Sequence, residues 1–274
     1  MTSRTALAAA AIIGYYLTTV LAHLEVSLWL VRRRESDLLG SYRFAESLPH
    51  AGTLVLAAIV IWQARRAWRG HNHVATFAGW TAWLVAVVLV DRFLIYSFPE
   101  YLHYPQYALL AYMIARLADP DRSAFAVGPV LLAVAALGIA DEALQYAWLT
   151  ISYSNYLDFN DFLLNLLGAT AGLLLHYGFT SSDSFDVRAA RLNASRAVLG
   201  FCWLGIVMLL LVSALQVTSG VTGMLHPIER QPSYSSWIPG PHAGRYYVLD
   251  PLSGTLILVL TGIAISTSAA PRRN

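Results

Sequence analysis

Apolar runs of bilayer-spanning length follow one another along almost the whole chain, and they leave few folds open. Windows at about 5–30, 48–65, 74–97, 100–117, 124–149, 161–179, 197–218 and 251–268 fall in or near this class. A helix needs roughly 17–25 residues to cross a membrane. In lipid each backbone N–H and C=O must be satisfied internally, so such runs become helices and not open sheets. The sequence therefore predicts an all-α polytopic membrane protein, a bundle of about eight transmembrane helices forming a single integral membrane domain over 1–274. Only 12% of the residues are charged, about half the share of a soluble domain. Pro49, Pro99 and Pro251 fall at first-turn positions, where a missing N–H costs nothing, and Asp119-Pro120-Asp121 is a turn signal. The first run continues through Val31, too long for a signal-peptide core, so a retained first helix is expected.

The charges exclude some functions and orient the chain. Net charge is +2, with no basic run beyond Arg32-Arg33-Arg34, so nucleic acid is not an expected partner. The single cysteine, Cys202, lies inside an apolar window and supports neither a disulfide framework nor a thiolate metal site. All 18 basic residues are arginines. With both termini cytoplasmic, eleven of the 18 lie on the inside and seven on the outside, Arg32–Arg34 being the main exception. That bias predicts a multi-pass protein of a bacterial inner (plasma) membrane with both ends inside. The long connection 219–250 then becomes an extracytoplasmic loop, with Trp237, Tyr246 and Tyr247 suited to the interface belt. Oligomeric state is not legible.

Two of the windows carry acids that lipid should not tolerate. Asp141, Glu142 and Gln145 lie late in 124–149, and Asp161 and Asn165 open 161–179. A carboxylate in the hydrocarbon costs roughly 2.5–3.5 kcal/mol on insertion scales, and is usually retained for a pathway or a site. Asp141 and Gln145 are i,i+4 and share a face, as do Asp161 and Asn165, and Gly168 and Gly172 continue the latter face. The Gly-x-x-x-Gly spacing permits close approach by a neighbouring helix. A short connection makes the two helices antiparallel neighbours, which sets three carboxylates, a Gln and an Asn in one outward-facing niche. His103, opening the window 100–117, falls on the same side.

The run DEALQYAWLTISYSNYLDFNDFLLNLLGATAGLLL, Asp141 to Leu175, resembles the signature of the VanZ-like family. Its elements are Asp-Glu-x-x-Gln, a short connection, Asp-x-x-x-Asn and Gly-x-x-x-Gly. The preceding EYLHYPQYALLAYMIARL is similar to the family's other block, with His103, Gln106 and Tyr107 in its polar places. The resemblance covers 100–175 and implies a role in the cell envelope; the family is linked to low-level resistance to teicoplanin-type glycopeptide antibiotics. It supplies no reaction. Many members carry an Arg six residues before the Asp of the later helix, where this chain has Asn155, and a Pro of the same connection is also missing. Arg92 and Arg245 are the candidates to replace that contact.

On this reading Asp141 or Glu142 is the general base and His103 an acid or relay, with Gln145, Asp161, Asn165, Gln106 and Tyr107 as binding residues. If Glu142 reaches to the interface, Asp141 is the working carboxylate. No cofactor is evident; a divalent cation on Asp141, Glu142 and Asp161 is compatible with the oxygen-rich set, which favours Mg²⁺ or Mn²⁺. The expected partners are membrane lipids or a lipid-linked envelope substrate. The sequence offers no nucleophile and no phosphate-cradling loop, so enzyme and amphiphile binder stay open. A proton-coupled small-molecule transporter is the alternative, although the acids gather on one side and no inverted repeat is visible. So is a purely structural cluster, but interhelical hydrogen bonds average only about 0.6 kcal/mol, too little to offset several buried ionisable groups.

Overall fold

The computed structural model describes residues 3–35, 73–95, 98–146, 157–178, 186–222, 237–239 and 245–268, with isolated helical positions between 55 and 65. The helix expected at 48–65 otherwise lies outside the described residues. Among these residues there are seven α-helices: α1 (Ser3–Glu35), α2 (His73–Leu94), α3 (His103–Ala118), α4 (Val127–Leu144), α5 (Phe159–Tyr177), α6 (Val187–Thr222) and α7 (Pro251–Ser268). A 3₁₀ turn, Phe98–Leu102, leads into α3, and two short antiparallel strands, β1 (Trp237–Pro239) and β2 (Arg245–Tyr247), precede α7.

Five helices contain stretches long and apolar enough to cross a membrane: 3–22 in α1, 77–94 in α2, 127–144 in α4, 187–214 in α6 and 251–268 in α7. α1, α2, α6 and α7 expose apolar side chains such as Leu7, Val88, Leu199, Trp203 and Leu260, as lipid-facing helices do. The two remaining helices, α3 and α5, do not meet those criteria, in contrast to the full-length spans expected at 100–117 and 161–179. α3 is short, at 16 residues, while Asn160, Asp161, Asn165 and His176 lower the hydropathy of α5. α4 and α5 bury the largest share of their side chains.

α5 sits at the centre, against α2, α3, α4 and α7, and pairs most extensively with α3. The sequence explains that pairing. A Cβ on Gly168 would stand 2.9 Å from the carbonyl oxygens of His103 and Tyr104, and one on Gly172 would fall on the Ala108 carbonyl. The Gly-x-x-x-Gly face therefore lies on the backbone of α3, not on α4. Trp83 of α2 adds a donor, Nε1–H to the Leu167 carbonyl at 2.8 Å. Two tyrosines pin α1: Tyr15 Oη–H donates to the Gln106 carbonyl at 3.0 Å and Tyr16 Oη–H to the Leu137 carbonyl at 2.9 Å.

The 219–250 connection is partly structured. α6 runs on to Thr222, and β1 and β2 pair with Ile238 opposite Tyr246. Tyr246, Val248 and Leu249 are buried, so this return segment packs into the bundle. Asn160 holds it there. Its carboxamide Nδ2 donates to the Leu94 and Tyr247 carbonyls at 3.0 and 2.9 Å, and its Oδ1 accepts from Leu249 N–H at 3.0 Å.

Candidate functional site

The antiparallel run of α3, α4 and α5 brings the start of α3, the end of α4 and the start of α5 to one end of the bundle. Asp158 caps α5, its side chain accepting from Asn160 N–H at 2.9 Å, so the helix begins two residues before Asp161. α4 keeps turning at Gln145 and Tyr146, where its last turn widens. Pro105 fits the first turn of α3, where its missing N–H has no helical partner to lose.

Three side chains converge there. His103 Nε2 stands 3.5 Å from Glu142 Oε1, and His103 Nδ1 stands 3.8 Å from Asp161 Oδ1. One ligand atom from each lies within 4.8 Å of the others. His103 and Glu142 are buried, and Asp161 is nearly so, with 14% of its side chain exposed. The imidazole is oriented by the backbone: Nδ1–H donates to the Glu100 carbonyl at 2.9 Å. A carbonyl only accepts, so the proton is on Nδ1 and Nε2 faces Glu142. Asn165, one turn beyond Asp161, brings its Nδ2 to 3.5 Å from Glu142 Oε1 and is 1% exposed. Asp161 Oδ1 and Asn165 Oδ1 are buried and make no hydrogen bond among the described residues.

Asp141 is placed differently. It is fully buried, and both oxygens are engaged: Tyr107 Oη–H donates to Oδ2 at 2.7 Å and Gln145 Nε2 to Oδ1 at 3.0 Å. Consecutive helix positions point about 100° apart, so Asp141 turns toward Tyr107 while Glu142 turns toward His103. Glu142 does not reach out to the interface; it is 4% exposed. The oxygen set for a cation is thus Glu142 and Asp161 joined by the His103 nitrogen, and Asp141 stands beside it. Gln106 offers its backbone carbonyl to Tyr15, and its half-buried side chain joins none of these contacts. Arg92 is exposed, while Asn155 and the Arg245 side chain lie outside the described residues.

A second polar cluster sits at the other end of α3 and α5, and sequence reasoning missed it. Asp119 carries it, having been read only as part of a turn. Its carboxylate accepts from Ala124 N–H at 3.2 Å, Ala126 N–H at 3.4 Å and Tyr177 Oη–H at 2.9 Å. His176 Nε2–H donates to the Asp119 carbonyl at 3.0 Å. These bonds brace a connection in which Arg122 and Phe125 take positive φ, 60° and 47°.

Chemically, the first cluster can hold a cation, shuttle a proton, or grip the polar head of a bound molecule. Comparison with protein-family models, curated proteins and solved structures finds no match. The chain is a multi-helix membrane protein with a buried acidic/histidine cluster.

Proposed function

We propose that the chain is a VanZ-like protein of the bacterial plasma membrane, with eight membrane helices and both termini inside. The end carrying His103, Glu142 and Asp161 faces outward and binds the polar head of an amphiphilic envelope component, a lipid or lipid-linked precursor. The observation that carries this reading is the buried cluster itself, assembled from α3, α4 and α5 inside a membrane bundle. Two carboxylates and an imidazole are costly there, and buried polar acceptors left without donors are more costly still. Asp161 Oδ1 and Asn165 Oδ1 are such acceptors. A ligand bearing hydroxyl or amide N–H groups satisfies them, while its hydrocarbon portion stays in the bilayer beside the apolar helices. A glycopeptide-resistance role follows from the VanZ-like resemblance alone, through capture of an amphiphile at the outer face. The arrangement also offers Glu142 as a base beside His103, so turnover is to be tested on whatever molecule is bound.

Native mass spectrometry with lipid analysis of the purified protein tests this. A distinct envelope amphiphile should accompany the wild type and be lost from Glu142→Gln and His103→Ala. Identical lipid content in all three proteins would remove the reading.

A further inference from the structure

The geometry points to a divalent metal site, in which His103 Nε2, Glu142 and Asp161 coordinate one cation of the Zn²⁺ or Mn²⁺ class. This rests on the proposed function only for its location; the coordination chemistry stands by itself.

The first argument is the hydrogen-bond logic of His103. Because Nδ1–H is committed to the Glu100 carbonyl, the neutral imidazole directs its Nε2 lone pair at Glu142 Oε1, 3.5 Å away. Lone pair facing carboxylate is repulsive unless something positive lies between them. A proton or a metal ion resolves it, and an Nδ1–H anchored on a backbone carbonyl is the usual outer support of a metal-bound histidine. The 3.5 Å separation is close to the roughly 3.4 Å between two ligand atoms on one tetrahedral Zn²⁺ with bonds near 2.1 Å.

The second argument is charge. The other titratable side chains whose electrostatics reach Asp161 and Glu142 are all acids, Asp141, Asp158 and Glu100. The chain has no lysine, and among the described residues the ion pairs of Glu142 and Asp161 are both with His103. Buried carboxylates call for a cation, a proton, or a saturating set of donors. Asp141 has the donors, from Tyr107 and Gln145; Glu142 and Asp161 do not.

The third is Asn165. Its carboxamide, 99% buried and touching Glu142, carries an oxygen without a hydrogen-bond partner among the described residues. That oxygen is suited to accept from a metal-bound water.

The remaining ligand atom must close in. One ligand atom from each residue lies within 4.8 Å of the others, and the recorded approach of Asp161 is to Nδ1 at 3.8 Å; coordination at Nε2 needs separations nearer ~3–3.5 Å. Asp161 is the least buried of the three and starts its helix, so a side-chain rotation of about 1 Å reach suffices. One nitrogen and two carboxylates favour a borderline cation over the oxygen-seeking Mg²⁺ and Ca²⁺. Three protein ligands leave further positions open to water or to a polar head group, as in catalytic zinc sites.

The test uses the full-length protein in nanodiscs, stripped with EDTA and then titrated separately with ZnCl₂, MnCl₂, MgCl₂ and CaCl₂. Elemental analysis gives stoichiometry and calorimetry gives affinity. One Zn²⁺ or Mn²⁺ per chain is expected, at least tenfold tighter than Mg²⁺ or Ca²⁺. Glu142→Gln, Asp161→Asn and His103→Ala should each weaken it on the order of 100-fold, while Asp119→Asn leaves it intact. A wild type that binds no stoichiometric metal, or variants that bind like the wild type, overturns the site. Equal affinity for Mg²⁺ or Ca²⁺ overturns the ligand class. If a variant fails to fold, the wild type decides: its melting temperature should rise with added Zn²⁺ or Mn²⁺, and no rise with either counts against the site. Lipid content measured on the same samples separates the two claims. Metal bound without a specific amphiphile removes the proposed function and keeps the site; an amphiphile retained without metal does the reverse.

Discussion

The two ends of the α3–α5 pair each bury a histidine and at least one carboxylate, yet they are built on opposite principles. At the Asp119 end the carboxylate accepts two backbone N–H groups and a tyrosine hydroxyl, and His176 donates to a backbone carbonyl. Those partners belong to the fold, and they hold a turn whose backbone would otherwise be hard to keep. At the His103 end the Glu100 carbonyl orients the imidazole, and among the described residues Glu142 and Asp161 gather around it with fewer donors than Asp119 has. His176 Nδ1 is buried without a hydrogen bond among the described residues, so the contrast lies in the carboxylates; a buried carboxylate that the fold satisfies is structural. One that the fold assembles and leaves short of donors is waiting for something from outside. Burial and residue type do not distinguish the two; counting donors does.

That contrast can be broken by mutation. The largest effect belongs to Glu142→Gln, which should abolish retention of the envelope amphiphile, at least a tenfold loss by native mass spectrometry, with little change in melting temperature. Asp119→Ala should do the opposite, leaving Ala124 N–H and Tyr177 Oη–H without their acceptor, while Ala126 N–H keeps Tyr177 Oη. Its cost is about 2–4 kcal/mol, read from thermal or denaturant unfolding, with amphiphile binding intact in the folded fraction. Should Asp119→Ala strip the ligand while folded, the division between the ends is wrong.

Gly172→Ala sharpens the comparison by moving the helices and not the polar groups. The new methyl would meet the Ala108 carbonyl, which cannot yield as a side chain can. Overpacking of this kind costs roughly 1–3 kcal/mol, and by pushing α3 away it should also weaken binding at His103. Asn160→Ala tests a neighbour of the site with no part in the cluster. It removes bonds to Leu94, Tyr247 and Leu249, so amide hydrogen exchange should rise at 245–249 while the ligand is retained. Tyr107→Phe is the mildest. Losing one of two donors to Asp141 should cost about 1–2 kcal/mol and leave His103, Glu142 and Asp161 in place.

Hydropathy located most helices well, because lipid imposes a length that any apolar run must meet. The window 251–268 coincides with α7, and 74–97 begins one residue after α2 does. It failed where a helix is not wholly apolar. α6 starts at Val187, ten residues before its window, because Arg188, Arg191 and Arg196 lower the average without breaking the helix. α3 is described over 16 residues only, and the polar residues of α5 sit on a helix most of whose side chains are buried. In the site, the i,i+4 spacing placed Asp161 and Asn165 on one face, and the short connection placed them near Glu142. Which of Asp141 and Glu142 turns toward His103 depends on how α4 is rotated against α3, and no local pattern encodes that rotation. The Asp119 cluster was invisible for a similar reason: His176 and Tyr177 meet it only when α3 and α5 close, 57 and 58 residues apart in the chain.

The most direct test replaces each acid by an apolar side chain of similar size and measures stability in EDTA-treated protein. A buried ionic group that serves the fold is lost at a cost, whereas one kept for function can be replaced by a hydrophobe with no loss or a gain. Glu142→Met should melt at or above the wild-type temperature while losing its amphiphile, and Asp119→Leu should melt well below it. If Glu142→Met is destabilised as much as Asp119→Leu, both clusters are structural and the assignment of function to the His103 end fails.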